Sequence, residues 1–340
     1  LVAHIENHWL NAKLLFGNGR TNRAHSLFIH QQSRDMTKTA DILVIIVSYN
    51  FERWMEKCLG SLQQSAMPID VVVIDNASSD NTVSRIRNEY PWVHLIANKD
   101  NLGFGKANNI GLSLALSLSY KAVFLLNQDA SIDADVIKLL HQVSEANPTY
   151  GILSPKHMTG KGDKLDPGFA HYIHQSALSA TDNTPIATPF INAAIWYIPT
   201  AVLKEVGGFS PLFYHYGEDK DYVNRLHFHG YKVGYIDTIR GYHDREYRPV
   251  TREKYLRTEF VYHLSEYANP HRSMWGGFAY TVLAGIKKSC LSICRGKFAD
   301  ALAYLKISLR LLCKSREVLR VRKQINTKQP NLRTHIVVCL

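Results

Sequence analysis

The stretch DILVIIVSYN, residues 41–50, is a nearly continuous run of aliphatic residues that closes on Ser48, Tyr49 and Asn50. The segment RWMEKCLGSLQQS (53–65) follows with helical periodicity, and IDVVVIDNASSD (69–80) is a second apolar run with a polar end. A strand without polar alternation is buried on both faces, which is typical of parallel sheets covered by helices. This stretch therefore predicts the first strand of an α/β sheet.

The same alternation continues along the chain to residue 130. TVSRIRNEY (82–90) reads as a helix that ends at Pro91, WVHLIAN (92–98) as a strand, GKANNIGLSLALSLS (105–119) as a helix and KAVFLLNQDA (121–130) as a strand. Strands spaced by single helices predict a Rossmann-like, mostly parallel sheet flanked by helices. In such sheets, ligands bind beyond the carboxyl ends of the strands.

Composition and charge bound the class of protein. A chain of 340 residues that is 46% hydrophobic and 20% charged can bury a full core, which excludes a disordered or fibrous protein. The net charge of +11 belongs to residues 271–340, where fourteen Lys and Arg face two acids, because the remainder is close to neutral. This distribution argues against a nucleic-acid partner. Five cysteines without paired metal-ligand spacing predict a reduced, cytoplasmic compartment.

The chain divides into three predicted regions. Residues 1–40, rich in His, Asn, Gln and Arg, are expected to be an N-terminal arm that is disordered or not native, with Met36 as a candidate natural start. Residues 41–265 are expected to form the α/β domain, with halves 41–130 and 131–265. Residues 266–340 are expected to form a basic, amphipathic helical tail.

Polar residues end each of the four predicted strands. Any one of them is also an ordinary cap or turn residue. Four consecutive strand ends with acid or amide groups instead predict a polar ligand site on one rim of the sheet. For Asp129, the alternatives are a metal ligand and a cap for a helix expected to follow it. The strand-end residues include Ser48, Asn50, Asp75, Asn98, Asn101, Asn127 and Asp129.

Five sequence blocks occur in an order that resembles the family 2 inverting glycosyltransferases of the GT-A fold, in particular bacterial rhamnosyltransferase-like members. The resemblance covers about residues 41–250 and implies transfer of a sugar, with L-rhamnose as a candidate, from a dTDP- or UDP-linked donor. It implies a polyprenyl-linked saccharide acceptor in O-antigen or capsule biosynthesis. The alternative is a nucleotide-sugar-binding protein of the same fold without turnover. The blocks are SYN (48–50), VVIDNASSDNT (72–82), NKDNLGFGKANNIG (98–111), LLNQDA (125–130) and VGGFSPLFYHYGEDKDYVNRL (206–226).

The resemblance implies that 41–130 is the nucleotide-sugar half of a catalytic domain. Tyr49, Asn50 and Asp75 would line the base pocket, and a carboxylate at Asp75 can accept the imide N–H of uracil or thymine. Lys106 would approach the diphosphate, with a solvated lysine at a helix start as an equal alternative. The other predicted donor contacts are Asn101, Gly103, Asn127 and Gln128.

Departure of a nucleoside diphosphate develops negative charge on phosphate oxygens, which Mg²⁺ or Mn²⁺ neutralises. The family usually presents two acids with one residue between them, and here Asn127 replaces the first, leaving Asp129. His243 stands where many relatives carry a metal-completing histidine, although a structural histidine is an equal alternative. The resemblance therefore implies a site made by Asp129 and His243, with weak metal binding in the absence of donor.

The acceptor half, 131–265, would supply the general base. Transfer to a hydroxyl needs a carboxylate that takes its proton, and by resemblance Asp219 is this base while Glu218 orients the acceptor. The acids also suit the positive end of a helix dipole, and Asp221 is expected to pair with Arg225 at i, i+4. Core packing is an equal alternative for Phe209. The predicted acceptor contacts are Phe209, Tyr214 and Asp221.

The predicted tail helix FADALAYLKISLRLLC (298–313) carries an apolar stripe, and basic residues cluster toward its end. Such a helix can lie on an anionic membrane leaflet; the alternative is a helix packed on the catalytic domain with a solvated basic face. We expect a cytoplasmic protein that is peripheral on the inner face of the cell membrane. The stripe consists of Phe298, Ala301, Leu302, Leu305, Leu309 and Leu312.

Overall fold

The structure, a computed structural model, describes residues 20–173, 182–245 and 251–326. Within these residues, nine strands form one sheet in the order β3-β2-β1-β4-β8-β6-β9-β5, with β7 beside β9. The strands are β1 (Ile42–Ser48), β2 (Asp70–Asp75), β3 (Val93–Ala97), β4 (Ala122–Leu126), β5 (Ala130–Ile132), β6 (Tyr150–Thr159), β7 (Ile186–Thr188), β8 (Ile195–Pro199) and β9 (Lys232–His243).

Helices flank both faces of the sheet and then form a separate C-terminal group. The helices are α1 (Arg20–Asp35), α2 (Met55–Gln63), α3 (Thr82–Glu89), α4 (Phe104–Ser117), α5 (Val136–Ala146), α6 (Pro167–Ala170), α7 (Thr200–Val206), α8 (Glu218–Phe228), α9 (Arg252–Ala268), α10 (Met274–Cys294) and α11 (Phe298–Asn326).

The first four strands confirm the predicted alternation. β1 pairs in parallel with β2 and β4, and β2 pairs in parallel with β3. Leu43 and Ile45 join the core beneath α4, whereas Ile42 and Val44 join the core beneath α2 and α5. Because successive residues of a strand point to opposite faces, burial on both faces requires an unbroken apolar run.

The second half of the sheet is mixed rather than parallel. β8 runs antiparallel to β4, and β5 runs antiparallel to β9. Asp129 therefore precedes a strand, and the alternative that it caps a following helix is excluded. The register pairs Ala130 with His243, so the end of β9 lies beside the residues that follow β4.

The N-terminal residues depart from the predicted arm. Residues 20–35 form α1, and Ile29 and Met36 are buried in the core that also contains α4. The prediction of a loose arm is therefore wrong for this part of 1–40, because its apolar residues supply core contacts. Residues 1–19 lie outside the described residues.

The C-terminal helices form a third core that includes Leu264 of α9 and Leu311 of α11, together with Phe213 from the α/β domain. The predicted boundary at residue 266 falls inside α9, so the helical region begins earlier, at Arg252. Residues 327–340 of the predicted tail lie outside the described residues. Among the helices that are described, none is long and apolar enough to cross a membrane.

The predicted stripe of α11 faces solvent. α11 packs through residues such as Ala301 and Leu311, which are buried. Ala301 was predicted to lie on the stripe and instead lies on the packed face. The other five stripe residues are exposed, and they are Phe298, Leu302, Leu305, Leu309 and Leu312.

Candidate active site

Asp129 and His243 meet at the rim of the sheet. The turn Asn127–Asp129 leaves β4, and the backbone N–H of Asp244 donates to the carbonyl of Asp129 at 2.8 Å. This contact brings His243 Nε2 to 3.2 Å from Oδ1 of Asp129. The two predicted metal ligands, 114 positions apart in the sequence, are therefore neighbours in the fold.

The donor set fits a divalent cation that takes few protein ligands. Two neighbouring ligands of an octahedral ion at about 2.1 Å lie about 3 Å apart, close to the 3.2 Å between Asp129 Oδ1 and His243 Nε2. The described part of the chain contains no group of three His, Cys, Asp or Glu residues suited to a metal. Diphosphate and water would therefore have to supply the remaining ligands.

Arg245 and Asp166 lie behind His243, and neither was predicted from the sequence. Arg245 Nε donates to His243 Nδ1 at 3.1 Å and lies 2.8 Å from Oδ2 of Asp166, as an ion pair rather than an aligned hydrogen bond. Asp166 is buried and caps α6 by accepting from the N–H of Phe169. This arrangement holds the imidazole ring from the side opposite Asp129.

The sequence spacing of two residues between His243 and Arg245 indicated that Arg245 could lie beside the histidine. Positions two apart at a strand end point to the same side, so Arg245 was identifiable as a neighbour. Asp166 gave no such signal, because an acid before Pro167 reads as an ordinary helix cap. Arg245 Nη2 is buried and has no hydrogen-bond partner among the described residues.

Asp219 lies on the same rim as Asp129. Burial raises the pKa of Asp219, while the backbone N–H groups of Lys220 and Ala193 and the charge of Arg245 lower it. Ala193 lies two residues before β8, the strand that pairs with β4. Protein atoms surround the carboxylate, which nevertheless retains access to solvent. Such a group can accept a proton from a hydroxyl that enters the site.

Glu218 lies beneath the rim rather than in the opening. Burial raises the pKa of Glu218 to about 8, and the charge of Asp219 adds to this effect. The side chain is buried, and Oε2 has no hydrogen-bond partner among the described residues. Burial therefore favours the protonated, neutral form of Glu218. Its role in orienting the acceptor stays a prediction.

The segment before α8 is strained where it carries Asp219 into the site. Tyr216 has φ 69° and Gly217 has φ 89°, a region that non-glycine residues rarely adopt. A Cβ at Gly217 would lie 2.5 Å from Cγ1 of Val261. Close packing of α9 on this turn therefore explains the glycine.

Asp75 is buried at the end of β2 and is held by hydrogen bonds from two serines. It is only 1% exposed, and its carboxylate accepts from Ser48 Oγ at 2.9 Å and from the N–H of Ser78 at 2.9 Å. These bonds hold the carboxylate at the end of β2 beside the loop that follows it. The role of Asp75 as a reader of a pyrimidine stays a prediction.

The neighbouring predicted donor contacts build the loops of the rim. Asn50 Oδ1 accepts from the N–H of Ser79 at 2.9 Å. Gln128 accepts from the N–H of Tyr49 at 2.8 Å and donates to its carbonyl at 3.1 Å, which ties the end of β4 to the end of β1. The Tyr49 side chain is left exposed at the rim. Its role as a donor contact stays a prediction.

Gly103 starts α4 with φ 79°, and a Cβ there would lie 2.2 Å from the carbonyl oxygen of Tyr214. Tyr214 Oη also donates to the carbonyl of Asn101 at 3.1 Å. The predicted donor loop and the predicted acceptor loop are therefore in direct contact. Tyr214 is exposed and Lys106 is half-buried, so both remain available as predicted contacts.

Two predicted acceptor contacts are wrong because the residues are buried. Phe209 packs against Trp196 and Tyr222, with ring centroids at 6.2 Å and 5.4 Å, so the core-packing alternative holds. Asp221 accepts from Arg225 Nε at 2.9 Å, and both side chains are enclosed. The predicted i, i+4 ion pair is confirmed, and it leaves Asp221 no access to an acceptor.

Comparisons with known proteins indicate which class of protein has this mixed sheet and this polar rim. Residues 43–200 match the family model described as Glycosyl transferase family 2. Residues 43–200 are thus similar to the family 2 glycosyltransferases, and the fold of the chain is the GT-A fold.

The curated relatives share the same region at low identity. An uncharacterized protein of Methanocaldococcus jannaschii is 34% identical over 126 residues, which cover 34% of this chain and 54% of that protein. The N-acetylglucosaminyl-diphospho-decaprenol L-rhamnosyltransferase of Mycobacterium tuberculosis is 24% identical, with coverages of 60% and 76%. The O-antigen chain rhamnosyltransferase RfbN of Salmonella typhimurium is 27% identical, with coverages of 64% and 69%.

Solved structures support the fold. S. aureus TarS in complex with UDP-GlcNAc has a TM-score of 0.54 at 15% identity, covering 86% of this chain and 89% of that chain. GalNAc-T7 with UDP, GalNAc and Mn²⁺ has a TM-score of 0.51 at 15% identity, with coverages of 67% and 51%. At such identities the likeness concerns the fold alone.

Proposed function

We propose that this protein is an inverting glycosyltransferase that moves a sugar from a nucleotide-activated donor to a saccharide hydroxyl. The observation that carries the proposal is the convergence of Asp129, His243 and Asp219 on one rim, linked through Arg245. A general base facing a site for a leaving diphosphate is what a single displacement with inversion requires. The rhamnosyltransferase relatives make L-rhamnose the leading candidate sugar.

Asp129 and His243 are the residues that would hold Mg²⁺ or Mn²⁺. When bound, the cation neutralises negative charge on the leaving diphosphate. Arg245 Nε donates to His243 Nδ1, which leaves the proton of a neutral ring on Nε2. Binding of the cation by Nε2 would therefore require this proton to move to Nδ1 and Arg245 to turn toward its ion-pair partner Asp166. Since Asn127 supplies no charge, we propose that the protein alone holds the cation weakly.

Asp219 takes the proton of the acceptor hydroxyl, for which it must lie within about 3 Å of that oxygen. The partly enclosed setting raises its pKa, which makes it a stronger base once ionised. Tyr214 is exposed beside the site and offers an aromatic surface on which a sugar ring can pack. The proposed acceptor is a polyprenyl-linked saccharide of O-antigen or capsule biosynthesis, as the names of the two rhamnosyltransferases suggest.

The exposed apolar row of α11 supports a peripheral position on an anionic membrane, at its cytoplasmic face. The row continues into Arg316, Arg320 and Lys323, which follow Leu312 at spacings of four, four and three residues and are exposed. Side chains at these spacings lie on one side of a helix. An apolar row with a cationic end suits a leaflet of anionic lipids.

A donor screen tests the proposed function. Nucleotide sugars, including dTDP-rhamnose and UDP-GlcNAc, are tested for thermal stabilisation and for hydrolysis, with and without Mn²⁺. We expect at least one donor to bind and to be hydrolysed faster with Mn²⁺. If no donor is bound or hydrolysed, the proposed function fails, and binding without turnover would favour the nucleotide-sugar-binding alternative.

A substitution of the base separates catalysis from binding. Asp219→Asn should lower transfer by about 100-fold or more, because it removes the group that accepts the proton. Donor binding should be unchanged by calorimetry. Asp135→Asn, the same change at an exposed carboxylate on the surface, is the control and should keep full activity. Loss of donor binding in Asp219→Asn would contradict the assignment of the base.

A further inference from the structure

A patch of paired cations and tyrosines lies between Asp219 and the C-terminal helices. We call it the Lys220 patch, and its members are Lys220 of α8, Tyr262 and Glu266 of α9, Arg272, and Tyr280 of α10. Lys220 Nζ lies 3.3 Å from Glu266 Oε1, and Arg272 Nη2 lies 2.7 Å from Glu266 Oε2. One carboxylate thus orders two cations.

The two tyrosines of the patch make cation–π contacts with the two cations. Lys220 Nζ lies 4.9 Å from the ring centroid of Tyr262, and the Arg272 guanidinium lies 4.7 Å from that of Tyr280. The two tyrosine hydroxyls are 3.4 Å apart. The patch is therefore one connected surface, built from three helices and the turn between α9 and α10.

The patch is open to solvent and positively charged. The side chains of Lys220 and Arg272 are 40% and 41% exposed, whereas that of Glu266 is 9% exposed. A guanidinium has five N–H donors and an ammonium has three, more than one carboxylate can accept. The surplus donors suit an anion with several oxygens, and charge-assisted bonds to phosphate are among the strongest in proteins.

The position of the patch decides which anion it suits. Lys220 directly follows Asp219, and neighbouring helix residues point about 100° apart, so the ammonium leans away from the base toward α9. On the other side, Tyr280 is one turn from the exposed Leu283 of α10. An anion bound here would lie between Asp219 and the exposed apolar surface of α10.

We infer that the Lys220 patch binds the diphosphate of a lipid-linked acceptor, with the prenyl chain leading onto α10. This inference rests on the proposed function. In such an acceptor the reacting sugar, the diphosphate and the lipid follow in that order. Asp219, the Lys220 patch and the apolar residues of α10 lie in the same order on the protein.

The test uses geranyl diphosphate as the probe, because it carries the prenyl diphosphate without the saccharide. Binding is measured by calorimetry with dTDP at saturation, so that the nucleotide occupies the donor site. Wild-type protein should bind the probe, and Lys220→Gln and Arg272→Gln should each weaken binding by about tenfold or more. Lys138→Gln, at an exposed lysine of α5, should bind like the wild type.

Two further arms keep the outcomes distinct. Tyr262→Phe retains the ring beneath Lys220 and should keep binding, which separates charge recognition from loss of folding. Dihexanoyl phosphatidylglycerol should compete poorly with the probe, whereas equal competition would indicate a general lipid-headgroup site and overturn the inference. Unchanged binding in Lys220→Gln and Arg272→Gln, or no binding by the wild type, would also overturn it.

The outcomes for the proposed function are read separately. If geranyl diphosphate binds as expected but no nucleotide sugar is turned over, the patch stands and the proposed function fails. If a donor is hydrolysed but the probe does not bind, the function stands and the inference fails.

Discussion

Helices α8 and α11 depart from the usual amphipathic pattern in opposite directions. α8 buries Glu218, Asp221 and Arg225, whereas α11 exposes a row of five large apolar residues. An ordinary surface helix turns its apolar stripe inward and its charges outward. Both departures cost stability, since one encloses charge and the other leaves apolar area in water.

The difference lies in how each departure is compensated. On α8 the cost is offset within the protein, because Arg225 pairs with Asp221 and donates to the carbonyls of Val206 and Gly208 at 2.8 Å. This network holds residues 206–208, where the segment that leads to Asp219 begins. On α11 no described residue covers the exposed row. The buried charges of α8 are thus stabilised by groups of the protein itself. The exposed apolar row of α11 would be stabilised only by contact with another surface, such as a membrane.

The largest expected effect follows from removing Arg225, the buried partner of Asp221 in α8. Arg225→Met leaves the Asp221 carboxylate buried without its partner, and we expect the free energy of unfolding to fall by about 3–5 kcal/mol. Chemical denaturation measures the change. The matched control is Arg85→Met, since Arg85 and Glu89 pair at the same i, i+4 spacing on an exposed face of α3.

The control should change the unfolding free energy little, because an exposed pair is screened by water. In the double variant Asp221→Leu with Arg225→Met, much of the loss should be recovered, as both partners are then apolar. Equal destabilisation by Arg225→Met and Arg85→Met would contradict the view that α8 depends on its buried pair.

The second effect uses pH. The pKa of Glu218 is about 8 in the folded protein, against an ordinary value of 4.5. Between these values the unfolded chain releases the proton and the folded protein keeps it, so the stability contributed by Glu218 is lost as pH rises toward 8. Glu218→Gln should remove this dependence, which for a pKa of about 8 against 4.5 amounts to about 4 kcal/mol between pH 5 and pH 9.

Denaturation of both proteins across this pH range checks the sign. The wild type should lose stability relative to Glu218→Gln as pH rises. If the stability of the two proteins changed with pH in the same way, the pKa of Glu218 would be the same in the folded and the unfolded protein. The view that α8 encloses a protonated acid would then be wrong.

The sequence predicted the parts of the fold that depend on short stretches. The first four strands and their helices were readable because burial on both faces demands unbroken apolar runs, and helices keep their periodicity. The short β5 was missed, since three residues carry no period and its pairing with β9 joins residues over 100 positions apart. That pairing also decides that Asp129 faces His243.

In the site, too, contacts between residues far apart in the sequence were harder to predict than local ones. Asp75 and Asp221 were predicted by resemblance to contact ligands, and each has hydrogen-bonding partners inside the protein. The pairing of Asp221 with Arg225 was readable from their i, i+4 spacing, whereas the contact of Asp75 with Ser48 joins two strands that only the fold brings together. Resemblance predicted the pair Asp129 and His243, and the fold brings them together. The second layer, Asp166 and Arg245, depends on a loop and a strand end that meet only in three dimensions.

The smallest expected effect on stability concerns α11 and is the sharpest test of its exposed row. Leu309 is 53% exposed, and its near neighbour Leu311 is 0% exposed. Leu309→Asp should change the unfolding free energy by less than about 0.5 kcal/mol, yet it should abolish sedimentation with vesicles that contain phosphatidylglycerol, because it places a negative charge in the row.

Leu311→Ala supplies the opposite result from the same helix. Removing a buried leucine should lower the unfolding free energy by about 2–5 kcal/mol while vesicle binding persists below the unfolding temperature. If Leu309→Asp instead destabilised the protein as much as Leu311→Ala, the row would be part of a packed interface rather than a membrane surface. If Leu309→Asp changed neither stability nor sedimentation, the exposed row would have no role at the membrane. A self-association assay would then test whether a second copy of the chain packs on the row.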